Sequence, residues 1–111
     1  MYQVKEQDWK LFRQRLPDWQ EAYMDRLNQE YIQILSGKEL ASDKFWELEK
    51  RIRMDKKSVG VVAEMRRSQL YTNLLSLLIN EIIREDDLNG FSEELLKAIK
   101  FAAEQSKSFA V

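Results

Sequence analysis

Glu85, Asp87 and Asn89 stand at alternate positions ahead of Gly90. Oxygen-bearing side chains at alternate positions followed by a glycine are what a calcium loop uses. Setting Gly90 at the sixth position of such a loop makes Glu85, Asp87 and Asn89 its first, third and fifth. The twelfth, where the loop needs a bidentate glutamate, is then Leu96, and the first is Glu85 where aspartate is preferred. The run therefore reads as an acidic connection between two helices, with Glu81, Glu85, Asp86, Asp87, Glu93 and Glu94 set against Arg84. No metal is expected.

A second set of charges has the opposite sign. Lys50, Arg51, Arg53, Lys56 and Lys57 follow one another closely, and Arg66 and Arg67 lie beyond the next turn. With Trp46 nearby they could form an electropositive, aromatic-flanked surface for nucleic acid or an acidic partner. Glu47, Glu49 and Asp55 are interleaved with them, the pattern of a solvated helix face. The whole chain carries a formal charge of −1, whereas binding through phosphates usually goes with a net basic surface. Nucleic acid is thus possible only through a local patch.

Catalytic chemistry finds few carriers. The 111 residues include no cysteine and no histidine, which removes thiolate nucleophiles, cysteine-bound zinc, and the commonest general base and transition-metal ligand. Glu81 and Glu85 could share a helix face as acid and base, but such pairs are frequent on any charged helix. There is no nucleophile elbow and no glycine loop to cradle a phosphate. The chain is expected not to be an enzyme and to need no cofactor.

Three tryptophans, five phenylalanines and four tyrosines are many for this length. Most fall on helical stripes and are expected in the core. Trp46 and Phe101 lie off their stripes and are the aromatic candidates for an interface.

The elements that would carry these residues are helices. Three glycines and one proline are few for a β-sandwich or barrel. Trp9, Phe12 and Leu16 share a face over Asp8 to Leu16; a break or kink is expected at Leu16-Pro17, because proline is tolerated in a first turn and not in a helix interior. A second helix then carries Trp19, Tyr23, Leu27, Tyr31 and Ile34 to a stop at Ser36-Gly37, with Gly37 as a left-handed cap. Ser42 reads as the N-cap of a third helix, on which Phe45, Leu48 and Ile52 share a face. The most apolar run, Leu70 to Ile83, reads as the second half of a central helix from about 61 to 84. Ser92 caps a last helix with Leu95, Ile99, Ala102 and Ala103 as its buried stripe, and Ser106 to Val111 should fray.

Asp8-Trp9-Lys10-Leu11-Phe12, Leu16-Pro17-Asp18-Trp19-Gln20-Glu21 and Phe45-Trp46-Glu47-Leu48-Glu49-Lys50-Arg51-Ile52, continued by Asp55-Lys56-Lys57 and Asp86-Asp87-Leu88-Asn89-Gly90-Phe91-Ser92, resemble a group of small, uncharacterised proteins of low-GC Gram-positive bacteria. The likeness runs to about Ile99. No activity is established for that group, so it implies no role for any single position. Some such proteins are described as transporters; the lack of a membrane-length apolar run argues against that here.

The expected protein is therefore a single all-α domain over residues 1–111, a compact bundle of four to five helices around the central apolar one. Met1 to Glu6 has no apolar signal-peptide core, so a cytoplasmic setting is expected. The expected function is binding to another protein or to itself as a homodimer. The candidate surface is Trp46, Lys50, Arg51, Arg53, Lys56, Lys57, Arg66, Arg67 and Phe101; the alternative is a nucleic-acid-binding regulator using residues 50–67.

Overall fold

Helix length along this chain is decided by where apolar stripes find partners. The structure, a computed structural model, describes residues 2–109. Four helices follow one another: α1 (Glu6–Leu35), α2 (Ala41–Asp55), α3 (Leu70–Ile79) and α4 (Glu93–Phe109), with single 3-10 turns at Arg67–Gln69 and Glu85–Leu88. There is no strand among the described residues, so the fold is all-α, as the composition implies.

α1 is one helix of 30 residues that passes through Pro17, where a break or kink and the start of a new helix were expected. Proline inside a helix loses one backbone hydrogen bond and crowds the carbonyl four residues back, at about 3 kcal/mol. Here the ring is exposed. Phe12 and Leu16 before it and Trp19 and Tyr23 after it all pack on the same core, and that shared burial holds the two halves in line. α1 ends without a left-handed glycine. The Ser36 N–H donates to Ile32 O at 2.9 Å and the Gly37 N–H to Ile34 O at 3.3 Å, a tightened last turn, and Gly90 is the positive-φ glycine.

The central helix is shorter than expected. Residues 62–66 are not helical, and the buried Asn73 side chain donates to Glu64 O at 3.0 Å, tying that segment to α3 as a strap. At its other end α3 closes in a Schellman arrangement. Glu81 takes φ +58°, its N–H donates to Leu78 O at 3.1 Å, and the Ile82 N–H donates back to Leu77 O at 2.9 Å. Leu77 and Ile82 are both buried, the apolar contact that accompanies this motif. Ile82 and Ile83 thus enter the core from a loop and not from a helix.

The core consists of Phe12 and Leu16 of α1, Leu70, Leu74 and Leu77 of α3, Ile82, Ile83, Leu88 and Phe91 of the connection, and Leu95 and Ile99 of α4. Asp8, Asn73 and Ser92 are the polar residues buried with them. The Asp8 carboxylate accepts from the Tyr2 hydroxyl (2.7 Å), the Ser92 N–H (2.8 Å) and the Ser92 hydroxyl (2.6 Å). Ser92 Oγ in turn accepts from the Leu95 N–H at 3.4 Å, so the cap of α4 is anchored on the first turn of α1. α4 keeps its helical geometry to Phe109, past the start of the expected fraying at Ser106; Ala110 and Val111 lie outside the described residues.

α2 contributes nothing to this core. It packs on the second half of α1, and the pair reaches out from the body as an arm. The radius of gyration is 16.7 Å and the extents are 52 × 33 × 22 Å, against about 13 Å expected for a roughly spherical domain of this length.

Candidate interaction surface

The arm is joined to itself by a polar seam. The Tyr31 hydroxyl donates to the Asp55 carboxylate. Arg51 donates to Glu30 at 2.9 Å and lies 3.7 Å from Asp55, with its guanidinium 5.8 Å from the Tyr31 ring centre. Burial, and then the hydrogen bond to Asp55, push the Tyr31 phenol up to about 12. The hydrogen bond to Glu30 holds Arg51 above its ordinary value against the opposing effect of burial. Further along, Gln20 donates to Val59 O at 3.3 Å, and Gly60 lies so close to the Tyr23 ring that a Cβ there would overlap it. Residue numbers fall along α1 as they rise along α2 and its exit, so the two run antiparallel.

That register leaves the start of α2 unsupported. With Tyr31 level with the Arg51–Asp55 turn, α1 ends about 6 Å further on, whereas Phe45 lies about 12 Å further on, at 1.5 Å per residue. The first turns of α2 therefore project past Leu35. Phe45 is 63% exposed and Trp46 64% exposed, and their rings meet edge to face at 5.0 Å. Counting 100° per residue, Trp46 and Arg53 stand opposite the Arg51–Asp55 side that meets α1. A shallow groove of about 300 Å³ runs between Phe45, Leu48, Glu49, Ile52, Arg53 and Lys56.

Phe45 is thus not in the core, where its stripe was expected to place it. α2 does not bury that stripe, because more than half of its 15 residues are charged and the α1 surface it meets ends too soon. α2 also starts two residues earlier than expected, with Leu40 in the N-cap position and no side-chain cap bond, so Ser42 falls inside the first turn. Trp46 is exposed as expected. Phe101, 66% exposed, lies on α4, a separate element.

The basic residues do not form one face. Arg67 pairs with Glu6, at the start of α1, while Arg51 pairs with Glu30. Those partners are 24 residues apart on one helix, about 36 Å. Arg66 pairs with Glu64 at 2.7 Å and Arg53 with Glu49. Lys50, Lys56 and Lys57 are exposed and make no ion pair among the described residues. The nucleic-acid reading needed residues 50–67 as a contiguous patch; instead acids are interspersed and the two ends are far apart.

The acidic connection is filled by a cation of the chain's own. Arg15 donates to Asp87 O at 3.0 Å and to Asn89 O, and the Asp87 carboxylate accepts from the Arg84 N–H at 2.8 Å. Among the described residues no group of three or more acidic side chains is placed to hold a metal ion. Glu81 and Glu85, the carboxylate pair considered for catalysis, line a wide cavity of about 800 Å³ with Arg26, Arg84 and Lys107 over a floor of Leu78, Ile79 and Ile83. All five charged groups are exposed. No helix among the described residues is long and apolar enough to cross a membrane.

No family model, no curated protein and no solved structure matches the chain. The surface must be interpreted from its own residues. Reading the sequence did not single out Phe45 and Leu40 as surface residues. The signal for Leu40, a large apolar side chain in a polar linker, was present.

Proposed function

We propose that this protein performs no chemistry and acts by binding another protein, or a further copy of itself, through the free face and tip of the α1–α2 arm. The observation that carries this reading is α2 itself: a helix with no buried residue that carries two aromatic rings near its start, each about two-thirds exposed. A short helix in water gains most of its stability from packing an apolar face. Aromatic side chains are the residue type that most often anchors protein interfaces. Seven of the eleven large apolar side chains exposed among the described residues fall within residues 32–54, about a fifth of the chain, so the exposed apolar surface is concentrated and not scattered. The setting we infer is the bacterial cytoplasm, from the resemblance to small Gram-positive proteins and from the absence of cysteine.

The test is affinity capture from a host lysate, comparing the wild-type chain with a Phe45→Ser/Trp46→Ser variant. The aromatic pair touches no core residue, so the variant should keep its helical circular dichroism. Protein retained by the wild type and lost by the variant is the expected result. Equal retention by both would remove the arm from the function.

A further inference from the structure

We infer that the occupant of the arm is a second copy of this chain, docked with α2 antiparallel to its counterpart across a two-fold axis near residues 50–52. The inference rests on the reading of the arm as the interaction surface and adds the identity of the partner.

The first argument is charge. Residues 41–49 carry Asp43, Glu47 and Glu49 against Lys44, a net −2, and residues 50–57 carry Lys50, Arg51, Arg53, Lys56 and Lys57 against Asp55, a net +4. Part of this is used within the arm, by Arg51 toward Glu30 and by Arg53 toward Glu49. What remains without an ion pair is Asp43, Glu47 and Lys44 at the start, a net −1, and Lys50, Lys56 and Lys57 at the end, a net +3. A helix with opposite charge at its two ends complements itself when reversed. A two-fold dimer needs this property, because each contact between two positions occurs twice. A parallel arrangement would set acid on acid and base on base.

The second argument is area. Phe45 and Trp46, at 63% and 64% exposure, leave roughly 200–300 Å² uncovered, taking about 150–250 Å² for each aromatic side chain. Ile32, Leu35, Leu40 and Ile52 are exposed on the same arm. A stable complex buries about 800 Å² per partner, with an apolar centre and a polar rim. The arm supplies such a centre, and the charged flanks of α2 supply the rim. Two arms together make four helices, enough to enclose a core between them.

Sedimentation equilibrium with charge-reversed pairs tests this. The wild type should rise from 13.3 kDa to twice that mass with concentration. Asp43→Lys/Glu47→Lys makes both ends of α2 basic, and Lys56→Glu/Lys57→Glu takes residues 50–57 from +4 to 0 and sets acids at the exit of α2 against the acids of its partner's start. Each variant alone should self-associate at least tenfold more weakly, roughly the scale of like charges brought face to face. An equimolar mixture of the two should recover the doubled mass, because each then meets its opposite; recovery also shows that both variants fold. A wild type that stays monomeric, variants that dimerise as well as the wild type, or a mixture that stays monomeric would each overturn the proposal. If the wild type is monomeric while capture from lysate still depends on Phe45 and Trp46, the arm remains an interface and only the second copy is excluded.

Discussion

Asp8 shows how much a single buried residue can hold together. Its carboxylate takes three hydrogen bonds, two from Ser92 and one from Tyr2, and no buried side-chain nitrogen or oxygen among the described residues lacks a partner. Asp8→Ala would strip acceptors from buried donors, an effect of about 1–3 kcal/mol per unsatisfied group. Urea unfolding should show a loss of about 3 kcal/mol, and about half that for Asp8→Asn, whose oxygen still accepts from the Ser92 N–H while its amide donates to hydroxyls that can rotate. Equal losses for the two variants would mean that packing, not hydrogen bonding, holds the site. Tyr2 adds a pH dependence. Burial, and then its hydrogen bond to Asp8, push its phenol up to about 12, and Tyr31 behaves alike against Asp55. A group whose folded pKa is raised favours the fold while protonated. This stabilisation is complete below about pH 10, the value of a free phenol, and is lost as pH rises through about 12. Tyrosinate absorbance should therefore show a late component coupled to unfolding, which Tyr2→Phe/Tyr31→Phe removes.

Among the elements, α3 was least legible in advance. Its apolar run continues to Ile83, and periodicity alone cannot say where a buried helix stops and a buried loop begins. The end is set by Glu81 in the left-handed region, where glycine is usual and any other residue costs about 1–2 kcal/mol. Glu81→Gly should raise stability by about 0.5–1 kcal/mol once the greater freedom of an unfolded glycine is subtracted, seen as a higher thermal midpoint. A fall would show that the Glu81 side chain contributes more than its strained backbone costs. The length of α1 was hidden for a related reason. A local rule read Pro17 as a break, and long-range packing of Phe12, Leu16, Trp19 and Tyr23 outweighed it. By contrast the stripes of α1 and α4 and the Ser92 cap were readable, because each depends on residues within a few positions of one another. Of the candidate surface, Trp46 and Phe101 were readable as off-stripe aromatics. Phe45 was not, since whether a stripe finds a partner depends on how far α1 reaches beyond it.

At the scale of the whole molecule, the N-terminal half of α1, with α3, the connection and α4, forms a body with a sealed core, and the rest of α1 with α2 forms an arm with almost none. Stability cannot then be uniform, because elements with few buried apolar contacts open without unfolding the rest. In a monomer, α2 is held by the Tyr31, Glu30, Arg51 and Asp55 seam, whose ion pairs join a half-buried Arg51 to an exposed Glu30 and a half-buried Asp55 and are worth about 1 kcal/mol each. Hydrogen exchange should therefore be fast along α2 and slow along α3, where Leu70, Leu74 and Leu77 are fully buried. Association through the arm changes this in a specific way. Mass action stabilises only what the partner covers, so α2 should gain protection as protein concentration rises while α3, already limited by global unfolding, changes much less. Exchange measured by mass spectrometry at low and high concentration separates the cases. Protection of α2 equal to that of α3 at every concentration would mean that the arm is as firmly folded as the body and has no need of a partner. Protection that grows with concentration in α2, and is abolished there by Phe45→Ser/Trp46→Ser, would tie the folding of the arm to the encounter between two chains.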